Sequence, residues 1–137
     1  MFWKKKKKKT DVPEVAAPFG NFVWDGSSGT WSCDVQHGEG TLVLWYEGTP
    51  LQAAHVARFQ QILIDIEVLS KLGLDSSTGD IESYGHSPND MELIGAAIDP
   101  SEGDEEFSMS FGFRKWPDGA LTVHFRGRTV VASHIDD

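Results

Sequence analysis

The chain has 137 residues, 39% of them apolar and 11% aromatic, which supports one packed core, leaves no room for a second and excludes a disordered chain. The net charge of -9 conceals an asymmetry: Lys4 to Lys9 hold six of the 12 basic residues, so the remainder carries 6 - 21 = -15. A body this acidic repels nucleic-acid phosphate and anionic lipid and attracts basic partners or cations.

Residues 1–18 read as a polybasic tail and linker. Six like charges in a row resist compaction, and Pro13 and Pro18 frame the small-residue stretch Glu14-Val15-Ala16-Ala17. The lysines are not followed by the apolar run of a secretory signal, and position 2 is Phe, so neither classical export nor N-myristoylation is expected. A single domain is expected over 19–137. Three strands come first, at Phe19 to Asp25, Thr30 to Gln36 and Thr41 to Glu47, separated by the turns Asp25-Gly26-Ser27-Ser28-Gly29 and His37-Gly38-Glu39-Gly40. Turn-bounded runs of this composition form an antiparallel meander. In the second, Cys33 shares a face with Trp31 and Val35, which places the only cysteine in the core. A lone thiol excludes an internal disulfide and fits a reducing compartment.

Thr49-Pro50-Leu51-Gln52 reads as a helix start with a capping box, and Val56, Phe59, Ile62, Leu63, Ile66 and Leu69 recur at helical spacing. The spacing predicts one helix over 50–72, closed by Gly73 as a left-handed cap. Residues 73–90 are polar and read as a long loop. Met91 to Ala97 reads as a short helix capped by Ser87 or Asn89, and Asp99 to Glu106 as an acidic turn. Phe107, Met109, Phe111 and Phe113 alternate with small or polar residues, as do Leu121, Val123 and Phe125 beyond the turn signal Trp116-Pro117-Asp118-Gly119. Thr129 to Ile135 is a last strand. The fold expected is α+β, an antiparallel sheet of about five or six strands with one long helix packed across one face. Its core is Phe22, Trp24, Trp31, Val35, Leu42, Leu44, Phe59, Leu63, Ile66, Phe111, Leu121 and Val123.

Most chemical motifs are missing. There is no phosphate loop, dinucleotide fingerprint or Gly-x-Ser-x-Gly elbow. His37, His55, His86, His124 and His134 lack metal-ligand spacing, although His124 and His134 fall on neighbouring strands. Asp75 to Glu82 resembles a calcium loop but has its glycine at the fifth position and His86 at the twelfth. Arg114, Lys115, Arg126 and Arg128 cluster in sequence, either as an anion patch or as an offset to nearby acids. No catalytic residue, metal ligand or cofactor is assigned.

Two surfaces remain. Phe2, Trp3, Lys4, Lys5, Lys6, Lys7, Lys8 and Lys9 are candidate contacts for an anionic membrane or a polyanion, with aromatics for the interface and lysines for the charge. Trp45, Asp99, Glu102, Asp104, Glu105 and Glu106 are the candidate interaction surface for a protein partner of basic character.

Phe19-Gly20, Trp24-Asp25 and Trp31-Ser32, then the helix Leu51 to Leu72 and the hairpin residues Phe111-Gly112-Phe113 and Asp118 to Val123, resemble a family of uncharacterised bacterial domains of unknown function over residues 18–132. Some members resemble immunity proteins that accompany polymorphic toxins. The resemblance implies a non-enzymatic, cytoplasmic binding role and transfers no catalytic residue. A membrane-surface accessory protein tethered by its tail, peripheral at the inner membrane face, is the alternative. An enzyme with an unrecognised site is the third reading.

Overall fold

The computed structural model describes residues 13–48 and 50–137. Eight strands form one sheet whose spatial order follows the chain: β1 (Glu14–Ala17), β2 (Gly20–Asp25), β3 (Thr30–His37), β4 (Gly40–Tyr46), β5 (Met91–Ile98), β6 (Glu106–Phe113), β7 (Trp116–Arg126) and β8 (Thr129–Asp136). Every neighbouring pair is antiparallel except β4 and β5, which run parallel with Leu44 opposite Ala96 and Tyr46 opposite Ile98. A parallel pair needs a crossover, and two helices supply it: α1 (Ala53–Ile64) and α2 (Ile66–Ser83).

Strand alternation sorts side chains by face. Phe22, Leu42, Leu44, Met109, Phe111, Leu121, Val123 and Phe125 point inward and are buried, as are Phe59, Ile62, Ile66, Leu69 and Ile81 from the helices. The expected core is buried except that Trp24, Val35 and Leu63 pack partly covered at its margin. Cys33 is buried, and burial, then the charge of Asp34, pushes its thiol pKa up, so it packs as a small hydrophobe.

The sheet has eight strands instead of five or six, it is mixed instead of antiparallel, and the single helix is two. The extra strands come from segments without strand-like sequence. Glu14–Ala17, expected as linker, pairs along β2 as an edge strand. Met91–Ile98, expected as a helix, is a central strand between β4 and β6, because two-sided strand pairing overrides the helix preference of Met, Glu, Leu and Ala. Ser87 caps only the short 3-10 turn Pro88–Asp90 before it.

The helix does not stop at Gly73. The core-facing line of α2 runs Ile66, Leu69, Gly73, Ser77, Ile81, so residues 73–83 of the expected loop 73–90 are helical, and the calcium-like run Asp75 to Glu82 lies within them. Gly73 packs against Val123 and Phe125 within the helix and does not end it; a Cβ there would sit at ordinary contact distance, 3.4 Å, from both. The break falls earlier, at Asp65 (φ -95°, ψ 9°) between α1 and α2. The helix start also shifts: Gln52 caps α1, its N–H donating to His55 Nδ1 at 3.1 Å, and Thr49 lies outside the described residues. The β6–β7 turn is at Arg114 and Lys115; Trp116 to Gly119 belong to β7, with Trp116 folded over Gly119 where a Cβ would strike its ring.

Candidate functional site

The chain leaves β5 at Ile98 and returns at Glu106 through a turn that faces α1. Asp99 builds the first half of this turn, its Oδ1 accepting from the Ser101 N–H (2.9 Å) and hydroxyl (2.7 Å). Glu106 closes it: Oε2 accepts from the Gly103 N–H, and Oε1 takes Arg126 Nη2 at 2.9 Å. Those bonds, the first of them largest, hold the Glu106 carboxyl below its usual range. Asp99 and Glu106 are thus committed to the loop, which leaves Glu102, Asp104 and Glu105 exposed on its rim.

Between this rim and α1 lies a cleft of about 500 Å³ floored by Ile62, Leu69 and Phe107. A second, of about 350 Å³, opens beside it against His55, Ile98 and Pro100. Arg58 and Asp104 line both, so the two adjoin along α1 and are together called the groove. Arg58 reaches down from α1 and donates Nη2 to the Glu106 carbonyl oxygen at 3.0 Å. Burial presses its pKa below the ordinary value, and the charges of Asp104 and Glu105 work against that shift. At the far end Arg128 Nη2 meets Asp65 Oδ1 at 2.9 Å. Hydrogen bonds from Gln61 and Arg128 hold Asp65 below the usual carboxylate range, the Gln61 bond being the larger influence.

The other cations of the described chain are also engaged. Lys71 pairs with Asp75, Lys115 with Asp90, and Arg126 with Glu106, while Arg114 donates to the Asn89 carbonyl oxygen. No anion patch forms from Arg114, Lys115, Arg126 and Arg128, because their partners lie at opposite ends of the β6–β7 hairpin. Among the described residues, Glu102, Asp104 and Glu105 have no ion-pair partner.

His55 and Tyr46 also converge here, and no sequence motif announced them. Nδ1 of His55 accepts the Gln52 N–H, so Nε2 carries the proton and donates to Tyr46 Oη at 3.1 Å. Burial first, then Arg58, lowers the His55 pKa; burial first, then Asp99, raises that of Tyr46. Both therefore stay neutral near pH 7, with both imidazole nitrogens engaged. The pair fastens the first turn of α1 to β4 and has no free nitrogen to serve as a base.

Trp45 is not part of this groove. It alternates with the inward Leu44 and Tyr46, so it stands on the sheet's opposite face, half-buried, its ring against Gly95 where a Cβ would collide with it. His124 and His134 do stack on neighbouring strands, with centroids 5.3 Å apart, and His134 Nε2 lies 3.2 Å from Asp136 Oδ2. Among the described residues no group of three His, Cys, Asp or Glu is arranged to hold a metal ion, and no helix is long and apolar enough to cross a membrane. The tail contacts Phe2, Trp3 and Lys4 to Lys9 lie outside the described residues. Comparison with family models, curated proteins and solved structures finds no match to this chain.

Proposed function

We propose that the protein is a non-enzymatic binding domain that takes a basic, amphipathic segment of a protein partner in the groove between α1 and the β5–β6 turn. The observation that supports this most is the imbalance of the groove wall. Glu102, Asp104 and Glu105 stand exposed beside an apolar floor with no ion-pair partner among the described residues, while the two arginines of the groove are bonded to other groups, Arg58 to the Glu106 carbonyl oxygen and Arg128 to Asp65. An apolar side chain set into the cleft over Ile62, Leu69 and Phe107, flanked by Lys or Arg toward the rim, would leave water itself and match the charge. Neutralisation of a basic toxin is the setting that the resemblance to immunity proteins supplies.

The test uses the full chain and a synthetic peptide of alternating Lys and Leu, followed by fluorescence anisotropy at low and high salt. The triple change E102Q/D104N/E105Q should weaken binding about tenfold or more at low salt. Neutralising three acids remote from the groove, E14Q/D34N/E39Q, should leave most of the affinity. Equal losses from the two triples would reduce the effect to bulk charge and defeat the groove assignment.

A further inference from the structure

On α2 the core-facing line is Ile66, Leu69, Gly73, Ser77 and Ile81. On the solvent side, Ile64 at the end of α1 and Val68 and Leu72 on α2 follow one another at intervals of four across the break at Asp65. They are 66%, 50% and 37% exposed. Single exposed apolar residues are ordinary, but three in sequence leave apolar surface that this domain's own packing does not cover. The row is symmetric about Val68. An antiparallel crossing of two copies would set Val68 on Val68 and Ile64 on Leu72 of the other copy.

The surroundings are self-complementary as well. Lys71 flanks the stripe on the same side as Glu67, and the two-fold axis brings Lys71 of each copy beside Glu67 of the other. Glu67 is 85% exposed, and His37 Nε2 lies 3.6 Å from its Oε1. Lys71 is 78% exposed, and its bond to Asp75 at 3.1 Å is a surface pair of small worth that can be exchanged. Outside the tail run the chain has two lysines, and one of them is placed here in an otherwise acidic body.

We infer that Ile64, Val68 and Leu72 form the interface of a weak two-fold homodimer, each copy's helix crossing the other antiparallel at Val68. One helix crossing buries less than the area of a stable interface, so the dissociation constant belongs in the range of about 10–100 μM. This surface is separate from the acidic groove and does not depend on its role.

Sedimentation velocity of the full chain from about 10 μM to about 1 mM should show concentration-dependent dimer formation within that affinity range. Val68→Asp, an exposed position whose change should leave the circular dichroism spectrum and melting intact, should raise the dissociation constant about tenfold or more. Lys71→Glu should also weaken the dimer, and adding Glu67→Lys in the same chain should restore affinity to within about threefold of the original. A chain that stays monomeric to the highest concentration overturns the proposal, whether the stripe is then covered by residues 1–12 or by another protein. So does a dimer indifferent to Val68→Asp, or a double charge exchange without rescue.

Discussion

His55 is held on both ring nitrogens, Nδ1 by the Gln52 N–H and Nε2 by the Tyr46 hydroxyl, and the first of these bonds requires the neutral ring. Its pKa in the folded chain lies below the ordinary value of 6.5, through burial first and the charge of Arg58 second. As pH falls below about 6.5 the unfolded chain therefore takes up the proton before the folded one does. The stability that His55 contributes is complete above that value and is lost as pH drops toward the folded pKa. A protonated Nδ1 can no longer accept the Gln52 N–H, so the loss begins at the first turn of α1. Asp25, Asp65 and Glu106 have carboxyl pKa values held down by hydrogen bonds, so their contributions persist to below about pH 4 and fade in a separate, more acidic window. Melting temperature measured between about pH 7.5 and pH 5 should fall for the native chain and fall less for His55→Gln. Parallel curves would show that His55 contributes nothing to acid sensitivity.

At the scale of elements, what could be read from sequence and what could not divide along physical lines. Strands β2, β3, β4 and β6 each carry one face of large apolar residues and a turn signal, and these four and β8 each lie within a residue or two of where the pattern put them. The groove's rim was visible as the run Asp99 to Glu106, because charge is a property of residue type. Its other wall was not, since nothing local to α1 indicates that Arg58, His55 and Ile62 face that loop; pairing β5 parallel to β4 brings them together. β5 was hidden by its composition, and by a bulge between Leu93 and Gly95 that breaks its alternation. The second half of α2 was hidden because its buried line uses Gly73 and Ser77, small residues that sequence reading assigns to loops. Ser77 is fully buried and its hydroxyl has no hydrogen-bond partner among the described residues. Only its size is used at that position. Ser77→Ala removes an unpaired buried hydroxyl and raises helix propensity, and should stabilise the fold by about 1 kcal/mol. Urea unfolding checks this, and a loss of stability instead would mean that the hydroxyl is bonded after all.

The whole molecule carries an electrostatic strain that no single pair reveals. Residues 13–137 crowd acids around few cations, and the described ion pairs use only some of those acids. Like charges on a compact body repel, and unfolding relieves that repulsion. The six lysines of residues 4–9 lie on the same chain and bring the net charge from -15 to -9, so they lower the repulsive potential. Such an effect is long-ranged, and salt governs it. The screening length is about 30 Å at 0.01 M and about 8 Å at 0.15 M, so charges on separate parts of a small domain interact in the first condition and scarcely in the second. A chain lacking residues 1–10 should therefore melt below the full chain in about 0.01 M salt, and the gap should close by about 0.3 M as screening replaces the lysines. Both proteins should gain stability as salt is raised, the shortened one more steeply. A gap that survives high salt would indicate close contacts between the lysines and the domain, and equal melting at low salt would mean that the acidic surface is too dispersed for its repulsion to matter.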